Sequence, residues 1–151
     1  MPMKKTPLVY ALNLLKLRDR SEGEVRQKMK LKGFFVEEVE EVVTKLKETK
    51  LLDDARFVAS YVRSQQNMGR GITRIKFRLK CLKIDDDLIK SNIDDVSPEG
   101  EVERAKDLAN RWIAKNGSKE NAKEKLIRFL LARGFDYNTV KQAIEHLILD
   151  S

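Results

Sequence analysis

Apolar residues recur along the chain at the three-and-four spacing of a helix face, and the strong helix breakers stand apart from them. Proline occurs only at positions 2, 7 and 98, and the seven glycines gather between periodic segments. Leu8, Ala11, Leu12 and Leu15 make one such face. Ser21, with Glu24 three residues on, is a capping box that opens a second helix, and Gly33 is placed to end it in the left-handed conformation. Beyond Phe34 and Phe35, the positions Val39, Val42, Val43 and Leu46 form a third stripe. Glu37, Glu38, Glu40 and Glu41 take its other side, an acidic first turn that suits the positive end of the helix dipole.

The same order returns twice. Setting Gly33, Lys83 and Gly134 in register aligns Val25 with Ile75 and Leu126, Met29 with Leu79 and Leu130, Phe34 with Ile84 and Phe135, and Val39 with Ile89 and Val140, at offsets of 50 and 51 residues. A period of that length predicts an all-α, elongated array of three tandem three-helix repeats, over residues 1–50, 51–97 and 98–151. The stretch from Ile75 to Cys81 alternates apolar and basic residues, as a half-buried strand would. Helix is preferred there, because Ile72, Ile75, Leu79 and Leu82 also share a helical face and no other segment offers a partner strand. Lys50 to Asp53 reads as a short junction. Asp94 to Gly100, with Ser97 and Pro98, is the clearest linker, so the third unit is expected to move relative to the first two.

Composition narrows the chemistry. Of 151 residues, 41% are apolar and 36% charged, enough for a core under a largely ionic surface. Lys and Arg number 31 against 24 Asp and Glu, a net +7 that favours an anionic partner without naming one. Cys81 and His146 are the only cysteine and histidine, which excludes an internal disulfide and a Cys/His metal cage and suits a reducing cytoplasm. Neither a signal peptide nor a membrane span is expected at the N-terminus, and no cofactor is expected.

The distribution of charge says more than its sum. From Arg63 to Lys83 there are seven basic residues and no acidic one: Arg63, Arg70, Arg74, Lys76, Arg78, Lys80 and Lys83. Arg26, Lys28, Lys30 and Lys32 occupy the equivalent helix of the first unit, and Lys119, Lys123, Lys125, Arg128 and Arg133 that of the third. A single charged run is ordinarily a solvated face, but three at the repeat period make a ribbon suited to a long polyanion or a filament. Gly69-Arg70-Gly71 is read as an exposed basic tip at the start of the middle run, or else as a plain interhelical turn.

Several features that resemble catalytic groups have simpler readings. Asp53 and Asp85 stand ahead of helical patterns, where aspartate caps free N–H groups, so the acidic pairs and triplets are not read as metal ligands. His146 reads as a surface residue near a helix C-terminus, and Cys81 as a buried or incidental thiol. The Gly69 loop lacks the lysine–serine or lysine–threonine pair of a phosphate-binding loop. Trp112 and Tyr61 align with Ala11 in the first helices, which favours packing over base stacking.

Leu51-Leu-Asp-Asp-Ala-Arg-Phe-Val-Ala-Ser-Tyr-Val-Arg, followed by Gly69-Arg-Gly-Ile-Thr-Arg-Ile, resembles the central signature of the RecX family. Arg18-Asp-Arg-Ser-Glu-Gly-Glu-Val with Lys32-Gly-Phe is similar to that family's first unit, and Lys125-Leu-Ile-Arg-Phe-Leu-Leu-Ala-Arg-Gly-Phe-Asp-Tyr to its last, so the likeness spans roughly residues 8–148. The resemblance implies a non-enzymatic cytoplasmic regulator of homologous recombination and DNA repair. Such a protein binds RecA, lodges in the groove of the RecA filament on single-stranded DNA, and limits filament growth, ATP hydrolysis and strand exchange. A monomer is expected, with weak direct DNA binding.

The signature positions carried over are Asp53, Asp54, Arg56, Phe57, Tyr61, Val62, Arg63, Gly69, Gly71, Arg74 and Ile75. Phe57, Val62 and Ile75 are expected in the core and Asp54 and Arg56 in pairing or capping. Contact with RecA or DNA is assigned to Arg26, Lys28, Lys30, Arg63, Arg70, Arg74, Lys76, Arg78, Lys80, Lys125 and Arg128. Lys83 stands where the family has a helix-ending glycine, which leaves the turn before Ile84 open. Two rivals remain: a stand-alone helix-turn-helix DNA binder using Ile72 to Leu82 as its recognition helix, and an adaptor joining two proteins through its acidic and basic faces.

Overall fold

The computed structural model describes residues 5–117, 120–145 and 147; Lys119 and His146, both weighed above, lie outside them. Among the described residues there are nine helices and no strand: α1 (Pro7–Leu17), α2 (Glu22–Lys32), α3 (Val36–Glu48), α4 (Asp54–Asn67), α5 (Ile72–Cys81), α6 (Asp86–Asp94), α7 (Pro98–Asn116), α8 (Ala122–Ala132) and α9 (Tyr137–Glu145). The ambiguous stretch near residue 75 is therefore helix, with Ile75 and Leu79 fully buried.

Local chemistry sets the boundaries. Thr6, Asp53 and Ser97 each accept a backbone N–H of the first turn they cap, from Val9, Arg56 and Gly100. Pro7 and Pro98 follow two of these caps, at helix starts where a missing N–H costs nothing. Ser21 accepts from Glu24 N–H while the Glu24 carboxylate accepts from Ser21 N–H, which completes the capping box. The three residues placed in register at the helix ends, Gly33, Lys83 and Gly134, all have positive φ, of 103°, 64° and 100°. The turn left open at Lys83 thus keeps the left-handed form without a glycine.

Each triplet closes its own core. Ala11, Val25, Met29, Val39, Val43 and Leu46 form the first, which Leu52 joins from beyond α3. Phe57, Val58, Val62, Ile75, Leu79, Ile84 and Ile89 form the second. Ala105, Leu126, Leu130, Phe135 and Val140 are among those of the third. The aligned positions Val25, Ile75 and Leu126 are each at 0% exposure, as are Met29, Leu79 and Leu130, so the repeat seen as a sequence period is a repeat of packing. Truncating any of these to Ala costs about 1–5 kcal/mol.

Neighbouring units meet at the ends of their second helices. Ser21 Oγ donates to the Leu82 carbonyl at 2.6 Å, and Glu22 N–H to Asp54 Oδ1 at 2.9 Å. At the next junction Gly71 N–H donates to the Arg133 carbonyl at 2.9 Å, Ile72 N–H to Glu101 Oε2 at 3.0 Å, and Thr73 N–H to the Gly134 carbonyl at 3.1 Å. The start of α2 therefore rests on the end of α5, and the start of α5 on the end of α8, the positive end of each helix dipole against the negative end of the next. An acid from the first helix of the following unit caps each N-terminus. The expectation of a loosely tethered third unit fails here: only Asp95–Ser97 separate α6 from α7, and three consecutive N–H groups pin α5 to the unit beyond.

Candidate functional site

The second helices carry the cations along this succession. Lys28 and Lys30 on α2, Lys76, Arg78 and Lys80 on α5, and Lys125 and Arg128 on α8 are all exposed, as is Arg63 at the outer side of α4. None of them is engaged in an ion pair among the described residues, so their charge faces water or a partner. Asp86 and Asp94 border Lys76 and Lys80 across a shallow groove, which limits the positive surface on that flank.

Three assigned residues sit differently. Arg26 is half-buried and held by Glu40, with Nε to Oε1 at 2.9 Å, and lies 3.9 Å from Glu22, so its charge is spent inside the first unit. Arg70 does not form an exposed basic tip. Its guanidinium folds back on Gln65 Oε1 at 2.9 Å, and its Nε is buried without a partner. Arg74 is half-buried, its Cβ lying against Gly134.

The signature residues prove largely architectural. Phe57, Val62 and Ile75 are buried, Asp53 caps α4, and Arg56 is exposed. Asp54 caps not its own helix but α2 of the preceding unit. Burial pushes its carboxyl above the usual carboxylate range; the Glu22 N–H opposes this and the Glu22 charge reinforces it. Gly69 packs on Leu108 of α7, and Gly71 is buried where a Cβ would come within 2.4 Å of the Gly134–Phe135 backbone. These two glycines are thus contacts with the third unit. Tyr61 stacks on Phe57 at 5.7 Å and lines a groove with Arg18, Arg78 and Cys81, whose thiol is exposed rather than buried. Trp112 packs against the third core.

One residue escaped the sequence reading. Phe77 is 65% exposed, on the outer side of α5 between Lys76 and Arg78. Its spacing holds the signal: two positions from both Ile75 and Leu79, it must point away from the core they enter. An exposed ring among cations is a geometry suited to base stacking, and Phe77 is more exposed than either Tyr61 or Trp112. Among the described residues no group of His, Cys, Asp or Glu is placed to hold a metal, and no helix is long and apolar enough to cross a membrane.

Comparison with known proteins agrees unit by unit. Models described as the first, second and third three-helix domains of RecX match residues 8–46, 53–91 and 99–144. A protein of Stenotrophomonas maltophilia named Regulatory protein RecX is 33% identical over 147 residues, covering 96% of this chain and 89% of its own. Its namesake in Mannheimia succiniciproducens is 34% identical, covering 83% of this chain and 84% of its own. The crystal structure of RecX from Lactobacillus salivarius superposes with a TM-score of 0.82 at 26% identity, covering 95% of this chain and 96% of that one.

Proposed function

Because the chain belongs to the RecX family of regulatory proteins, we propose that it regulates RecA, mainly as an inhibitor. It binds RecA and the RecA filament on single-stranded DNA, and limits filament growth, ATP hydrolysis and strand exchange. The observation that carries this reading is the end-to-end succession of α8, α5 and α2, each presenting exposed cations that form no ion pair among the described residues. A filament repeats its contacts at fixed intervals. Several weak contacts held on one frame act together through effective concentration, so an array suits it better than a single strong site.

Within this reading α5 is the nucleic-acid face. Lys76, Arg78 and Lys80 meet phosphates, and Phe77 stacks on an unpaired base. The test is ATP hydrolysis by RecA on single-stranded DNA with increasing amounts of the chain. The parent inhibits, and the variant Lys76→Glu/Arg78→Glu/Lys80→Glu loses at least about tenfold in potency with unchanged helicity. Unaltered inhibition by this variant removes α5 from the contact surface. Tight, sequence-dependent binding to duplex DNA without effect on RecA favours a stand-alone DNA binder instead.

A further inference from the structure

In the second and third units the turn closing the second helix is covered by the unit before it, whose backbone or hydroxyl donors reach the Leu82, Arg133 and Gly134 carbonyls. The equivalent turn of the first unit, Lys32–Gly33, is covered by no other unit among the described residues. Among the described residues no donor reaches either of its carbonyls. A Cβ on Gly33 would meet nothing within 4 Å, whereas one on Gly134 would strike Arg74 at 2.3 Å.

The side chains around this open turn differ from their counterparts. Leu31, Phe35 and Val36 are 79%, 73% and 56% exposed. Their aligned positions hold Cys81, Asp85 and Asp86 in the second unit and Ala132, Asp136 and Tyr137 in the third. Phe35 is the sharpest departure. It stands at the N-cap of α3 and makes no side-chain cap, where Asp85 accepts from Asp87 N–H at 2.9 Å and Asp136 from Thr139 N–H at 2.7 Å. An exposed ring at the site of a lost cap does nothing for the fold, and exposed apolar clusters of this kind mark binding surfaces.

We propose that this end of the array docks the N-terminal turn of a helix on a partner protein. The partner's free N–H groups take the Lys32 and Gly33 carbonyls, as the start of α5 does at the Arg133–Gly134 turn, and its apolar side chains lie on Leu31 and Phe35. Nucleic acid fits poorly, because Glu37 and Glu38 open α3 directly beside Phe35. A second copy of this chain fits poorly as well: the start of α8, the second-helix start left undocked among the described residues, offers exposed Lys123, Glu124 and Lys125 and no exposed apolar side chain to lie on Leu31 and Phe35.

The inference rests on the RecA reading for its probe, and its test separates the two. The full chain and the variant Leu31→Gln/Phe35→Asp are compared as inhibitors of ATP hydrolysis by RecA on single-stranded DNA, and as ligands of a single-stranded oligonucleotide alone. Inhibition by the variant is expected to weaken about tenfold or more, with oligonucleotide affinity kept within about twofold. Its melting temperature should not fall, since the aspartate supplies the missing cap; Leu31→Gln alone, which leaves the α3 cap untouched, should weaken inhibition in the same direction. Unchanged inhibition overturns the inference, as does an equal loss of oligonucleotide binding. Self-association of the parent that the variant abolishes overturns it in favour of a second copy. A parent chain that leaves RecA untouched overturns the proposed function together with this inference, whereas an inhibiting parent matched by its variant overturns this inference alone.

Discussion

Lys83 holds a backbone conformation that its two counterparts reach with glycine, at φ 64°. The left-handed form costs a residue with a Cβ about 1–2 kcal/mol, so Lys83→Gly should stabilise the chain by about 1 kcal/mol, read as a rise in the urea midpoint. The same Cβ dictates its neighbour: one built on Gly23 would lie 2.3 Å from it. Gly23→Ala should therefore be strongly destabilising in the parent and far less so beside Lys83→Gly, a non-additivity that a double-mutant cycle measures. At the same junction the Asp54 carboxyl is pushed up by burial, so the folded chain holds that proton more tightly than the unfolded one. Its contribution to stability is full in acid and is lost as pH rises through the carboxylate range to the raised value. Asp54→Asn keeps an oxygen to accept the Glu22 N–H and carries no charge. Melting curves from about pH 4 to 7 should show the variant no less stable at the neutral end, with the acid-side slope from this residue gone.

At the scale of elements, the sequence made the helices and their inward faces readable because a triplet repeats its apolar spacing, and three aligned copies resolve what one leaves ambiguous. Ile75 to Cys81 is the case in point: alternation favoured a strand, but alignment with Val25–Leu31 and Leu126–Ala132 favoured helix. The joints were not readable. Asp54 is the first residue of α4 and Glu101 the fourth of α7, so the two acids that cap the preceding helices share no aligned position. Arg70 and Arg26 could be counted as cations but not seen to fold inward, since Gln65 and Glu40 reach them only after the chain has turned. Gly71 looked like part of an open loop and is instead the point of closest approach to the third unit. Gly71→Ala would drive a methyl group into backbone at 2.4 Å, where little can yield. It should cost upward of about 2 kcal/mol and should free α5 amides for hydrogen exchange before those of α2.

At the scale of the whole molecule, three separate cores are linked by end-to-end contacts, and those contacts run one way. Every second helix but the last depends on its successor for the partners of its first N–H groups. Deleting residues 98–151 should leave the Gly71, Ile72 and Thr73 N–H groups without acceptors, so amide exchange at the start of α5 should rise. Deleting the first unit removes only the Ser21 hydroxyl from the Leu82 carbonyl at the far end of α5, and exchange at the start of α5 should stay as it was. That one-way dependence has a bearing on biosynthesis. On a ribosome the chain emerges from its N-terminus, so α2 is made before Asp54 and Leu82, and α5 before Glu101 and Arg133. The first two units must each wait for the next to be translated before their middle helices are finished, while among the described residues no later unit supplies the start of α8.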